Sequence, residues 1–123
     1  NLDETAANSA MDELLKHIFD NIDSLDDIEN IFEQADISTQ HEWLCLFFSS
    51  YIMEFSDELF STRIFEKEGD KVRVFQDIKN YIQRSLEDLN VDNRLQNVDW
   101  NGEEGSIVIK GLQTEILEIW SQE

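Results

Sequence analysis

The sequence predicts an α+β fold that is predominantly α-helical: a compact helical bundle around one central buried helix, with a small C-terminal β-hairpin. Three observations predict it. Apolar residues recur with a 3.6-residue period along most of the chain. No proline interrupts those stretches. Residues 98–110 alternate instead, around a pair of glycines. The chain has 123 residues, which at about 150 residues per domain is a single domain. Residues 11–123 are therefore expected to form one acidic helical domain, and 1–10 a loose tail or expression remnant outside it, because NLDETAANSA shows no apolar period. Were 1–10 native, Ser9 would cap the first helix, with Asp12 three residues on.

The first helix is expected from Met11 to Ile22, with Leu14, Leu15, Ile18, Phe19 and Ile22 on one face. Ser24 and Asp27 stand at capping-box spacing and open a second helix, whose stripe is Leu25, Ile28, Ile31 and Phe32. The short link between the two predicts an antiparallel hairpin. Thr39 and Glu42 form a further capping box. The helix it opens carries WLCLFF at 43–48, apolar all round, which marks a helix buried on several sides. Trp43 and Phe47 are expected in the core. This helix continues through Phe55 and on towards Leu59 and Phe60.

Residues 61–74 fit two readings. Ile64 and Phe65 can face Val72 and Val74 across a turn at Gly69. The same residues also continue a helical face up to Gly69, and periodicity slightly favours the helix. A helix from Val74 to Leu89 follows, with Phe75, Ile78, Tyr81, Ile82, Ser85, Leu86 and Leu89 in register. The expected hairpin has Val98 and Trp100 on one strand, a turn over Asn101-Gly102 to Gly105, the β-branched return SIVIK, and Gly111 as terminator. A last helix is expected from Leu112 to Trp120, burying Leu112, Ile116 and Trp120.

Charge is the most informative feature for function. The formal net charge is −19, from 28 acidic and 9 basic residues. Residues 1–60 hold 15 acidic residues and one basic residue, Lys16, a net −14. Residues 61–123 hold 13 acidic and 8 basic residues, a net −5. Such a surface lacks the cationic grip that nucleic acid or an anionic membrane requires. No run of 18 apolar residues is long enough to span a bilayer. No secretory leader is visible at the start, so the expected compartment is the cytoplasm.

Residues for chemistry are few. The single cysteine allows no internal disulfide and no cysteine zinc site. His41 and Cys45 are four apart on one helical face, the arrangement of a base and a nucleophile. The apolar surroundings of Cys45 favour an inert core thiol. His17 stands alone. Asp20, Asp23, Asp26 and Asp27 lack the spacing of a calcium loop, and the stretch from Asp99 lacks the required glycine and closing glutamate. Phosphate-cradling loops and zinc-protease or serine-elbow motifs are not found. No cofactor, metal or catalytic residue is expected.

A binding surface is the expectation that remains. Asp12, Asp20, Asp23, Asp26, Asp27, Glu29 and Glu33 should crowd the outer faces of the first two helices. Negative charge on short helices imitates phosphates, and a strongly basic protein site attracts it at long range. The pattern therefore predicts a non-enzymatic inhibitor of a basic protein. By analogy of type, that is a bacterial immunity protein occluding the active-site cleft of a nuclease toxin. A nucleic-acid mimic acting on a DNA- or RNA-binding protein is the second reading, and a helical adaptor with incidental acidity the third. Trp100 and Trp120 are the candidate aromatic anchors for the partner.

Overall fold

The computed structural model describes residues 2–19, 34–89 and 94–121. Among these the class is essentially all-α, and no strand is present. The helices are α1 (Glu4–Phe19), α2 (Ile37–Phe55), α3 (Asp57–Arg63), α4 (Lys71–Leu89), the single turn α5 (Arg94–Asn97) and α6 (Glu103–Trp120). A 3-10 turn at Phe65–Lys67 joins α3 to the loop before α4. The second predicted helix, with its stripe at 25–32, lies outside the described residues.

The first helix begins earlier than its apolar period suggested. Asp3 closes its N-terminus, its carboxylate accepting from the Ala6 amide at 2.8 Å and its carbonyl from Ala7 at 2.9 Å. Ala6, Ala10, Leu14 and Ile18, four apart, are all buried. Residues 4–10 thus belong to the fold, and Ser9 sits inside the helix rather than at its cap. The two alanines supply little apolar area, but their size lets α1 lie close against α2. The helices run antiparallel: the Asp3 amide donates to the Tyr51 hydroxyl at 2.8 Å, while Leu14 and Ile18 cluster with Trp43 at the other end.

Helix α2 starts before the expected capping box. Asp36 is the N-cap, accepting from the Thr39 amide at 2.7 Å. Thr39 therefore serves as the donor of the cap and not as its acceptor. Helix α2 is buried on several sides, from Trp43 and Cys45 through Phe48 to Met53. Phe47 is half-buried between two apolar clusters, its ring edge-on to Phe48 at 5.0 Å. The helix does not run on to Phe60. It stops at Ser56, and α3 resumes after this break.

Of the two readings of 61–74, the helical turn is the one observed. The 3-10 turn ends at Lys67, and Asp70 caps α4, accepting from the Arg73 amide at 3.1 Å. Helix α4 buries Val74, Ile78, Ile82 and Leu86 at four-residue intervals. It lies antiparallel to α2, with Phe75 and Lys79 beside Met53 and Glu54 at one end and Glu87 near Cys45 at the other.

The predicted C-terminal hairpin is not formed. Trp100 stacks on Phe48 with ring centroids 3.9 Å apart, and its Nε1 donates to the Leu95 carbonyl at 3.1 Å. The chain then turns on the Asp99 carbonyl, which accepts from Gly102 at 3.1 Å and Gly105 at 3.0 Å. From Glu103 the chain is helical, and the supposed return strand is the first half of α6. Five residues of alternation cannot separate a strand from a helix. Here Ile109, Leu112 and Ile116 are buried at helical spacing, and Glu103 and Glu104 favour the positive end of the dipole. That burial outweighs the few tenths of a kcal/mol per residue that β-branched side chains cost a helix.

Candidate interaction surface

Of the seven acidic residues predicted to meet a partner, Asp12 is exposed on α1, and Asp20, Asp23, Asp26, Asp27, Glu29 and Glu33 lie outside the described residues. Other carboxylates of the first sixty residues are exposed as well. Glu4 and Glu13 are exposed on α1, and Glu42, Glu54, Asp57 and Glu58 on α2 and α3. Glu13 approaches Lys16 at 3.6 Å, an exposed pair that offsets little of this charge. Asp36 has its carboxyl held below the usual range by the hydrogen bond from the Thr39 amide.

The two predicted aromatic anchors sit in different settings. Trp100 is half-buried, with one ring face on Phe48 and its N–H satisfied internally. Trp120 is half-buried at the end of α6, its ring edge-on to Tyr81 at 5.6 Å. The Tyr81 hydroxyl donates to Glu115 Oε2 at 2.9 Å, and this bond to a carboxylate raises the phenol's pKa. Tyr81, Glu115 and Trp120 thus join α4 to α6.

The Cys45–His41 pair does not have the character of a nucleophilic site. Burial pushes the Cys45 thiol up to about 11, with Glu87 and Glu42 adding to the shift. At that pKa the thiolate is scarce at neutral pH. His41 Nε2 is buried with no hydrogen-bond partner among the described residues. No group of three or more His, Cys, Asp or Glu residues able to hold a metal occurs among the described residues. No helix there is long and apolar enough to cross a membrane.

Two surface depressions were not anticipated from the sequence. One, of about 400 Å³, lies where Phe65, Val72 and Phe75 meet beside the loop before α4. The other, of about 410 Å³, runs between α4 and α6 and is lined by Leu86, Leu89, Ile107, Val108 and Leu112. The first forms across the loop before α4 within residues 61–75 and the second joins two helices, so periodicity within a single helix could not locate them. A smaller cavity of about 270 Å³ lies between α2 and α6, walled by Tyr51, Phe55 and Trp100. Leu2 lines it too, its amide donating to Asn101 Oδ1 at 3.0 Å.

Compared with known proteins, the chain matches no family model, no curated protein and no solved structure.

Proposed function

We propose that this chain is a non-enzymatic inhibitor that binds a basic protein. The specific form proposed is a cytoplasmic bacterial immunity protein that occludes the cationic cleft of a nuclease toxin, its carboxylates taking the place of substrate phosphates. The observation that carries the reading is the charge distribution: a net −14 over residues 1–60, with Lys16 the one basic residue there. Like charges concentrated in one half of a short chain repel each other and lower its stability. A basic partner relieves that repulsion and gains rapid, steered association in return. The exposed positions of Asp12, Glu13, Glu54, Asp57 and Glu58 support it, since none of these carboxylates is buried in the fold.

The test is capture on the immobilised protein from the source cell at low salt, elution with salt, and a nuclease assay on the eluate. The reading expects a basic protein whose nuclease activity disappears on adding back the free chain. A retained nucleic-acid-binding protein without nuclease activity supports mimicry instead. A neutral partner whose binding ignores salt overturns the electrostatic reading.

A further inference from the structure

Resting on the reading of a basic partner, we infer that the groove between α4 and α6 seats a helix of that partner, one with an apolar stripe edged by Lys or Arg. Three features of the groove converge on this occupant.

The floor is apolar and open. Leu86 and Leu112 are buried beneath it, Leu89 and Val108 are half-buried, and Ile107 is 64% exposed at its edge. Single exposed apolar residues are ordinary, but an isoleucine at the lip of an apolar groove between two helices is a contact waiting for a helix.

The rim is acidic. Asp88 on α4 and Glu115 on α6 line the groove, and among the described residues no basic one does. The Tyr81 hydroxyl fixes Glu115 from the α4 side at 2.9 Å. A second copy of this chain would bring another −19 to the same place, so self-association is opposed, whereas a cationic helix is complementary.

The third feature is Gly111. It lies in the interior of α6 and is exposed, and a Cβ there would meet nothing within 4 Å. Glycine within a helix weakens it relative to alanine. Gly105 has an internal reason, because a Cβ would come within 2.6 Å of the Trp100 Cα. Among the described residues Gly111 has no such reason. It lines the groove, and its bare backbone admits a second helix at closer range than any side chain would.

The test uses a synthetic Leu/Lys peptide of about 18 residues, roughly five helical turns with one apolar stripe, and a matched Leu/Glu peptide. Each is titrated into the isotope-labelled protein at low salt. The expected result is that the Leu/Lys peptide shifts the amide resonances of Leu89, Ile107 and Gly111. Gly111→Leu should weaken it at least about tenfold with the thermal melt retained. Ile107→Asp does the same from a solvent-exposed position, should the leucine disturb folding. If the peptide binds around Asp12 and both variants bind like the parent, the groove is not the seat, while the basic-partner reading stands. If the Leu/Glu peptide binds the groove equally well, the cationic occupant is overturned. If the Leu/Lys peptide does not bind at all, the groove proposal falls, and the basic-partner reading is decided by the salt-eluted capture alone.

Discussion

Helices α4 and α6 pack against the same core yet distribute their apolar residues differently. From Ile78 to Leu89 every apolar residue of α4 is buried or half-buried, and its exposed apolar residues, Val72 at 82% and Phe75 at 40%, are confined to its first five positions. Helix α6 buries Ile109, Leu112 and Ile116 but leaves Ile107 64% and Ile119 49% exposed. The apolar content of α4 over this stretch is explained by folding. That of α6 exceeds what folding uses, and one of its two exposed isoleucines, Ile107, borders a groove with an acidic rim. The difference teaches that α6 faces inward and outward at once, which is the character of an element shared between a core and an interface.

The largest expected effect contrasts these two roles. Ile82→Ala should destabilise the protein by about 2–5 kcal/mol, the range for emptying a buried aliphatic site. Ile107→Ala should change stability by no more than about 0.5 kcal/mol. Urea unfolding of both variants checks the pair, and similar midpoints would erase the distinction between the helices.

The two glycines of α6 sharpen the same contrast at lower magnitude. Gly105→Ala forces a methyl group against the Trp100 backbone, 2.8 Å from its carbonyl oxygen, and should cost about 1–3 kcal/mol. Gly111→Ala meets open space and should stabilise the isolated chain by up to about 1 kcal/mol through helix propensity. Opposite signs in thermal melts are the expected result. A destabilising Gly111→Ala would reveal an internal constraint and remove one support of the partner groove.

This helix is also where the sequence was hardest to read. Gly111 resembles a strand terminator, and SIVIK carries the β-branched composition of a strand, so the hairpin was a natural expectation. The deciding contacts, Trp100 on Phe48 and the Gly105 amide on the Asp99 carbonyl, are set by tertiary packing that no local pattern displays. Helix α4 was legible because Ile78, Ile82 and Leu86 repeat on one face through its length. The start of α1 was missed because alanine carries a weak apolar signal, although Ala6 and Ala10 continue the spacing of Leu14 and Ile18. The acidic character of the candidate surface was legible from composition alone. Its geometry was not, since the α4–α6 groove joins residues 81–89 with residues 107–115 and depends on how two helices dock.

A smaller effect is expected at the start of α2. The folded-state pKa of Asp36 is lowered by the Thr39 amide, so its cap contributes stability above the unfolded carboxylate value of 3.8. That contribution is lost as pH falls through the folded value. Asp36→Ala should therefore lower the melting temperature by a few degrees at neutral pH and make little difference in strong acid. Asp36→Asn keeps a cap that does not titrate, so its melting temperature should fall less steeply with acid than the parent's. An Asp36→Ala deficit that persists unchanged in strong acid would exclude the carboxylate as its source.

The most direct test of the account is the association rate of the captured basic partner, followed by stopped flow over a range of salt. Asp23→Lys with Asp27→Lys reverses charge in the acidic half, and Glu66→Lys with Glu68→Lys makes the same net change among the basic residues of the other half. The account predicts that the first pair slows association at least about threefold at low salt and flattens its salt dependence. The second pair should slow it much less. Equal slowing by the two pairs would mean that only total charge matters, and an unchanged rate with the first pair would contradict steering by the acidic half altogether.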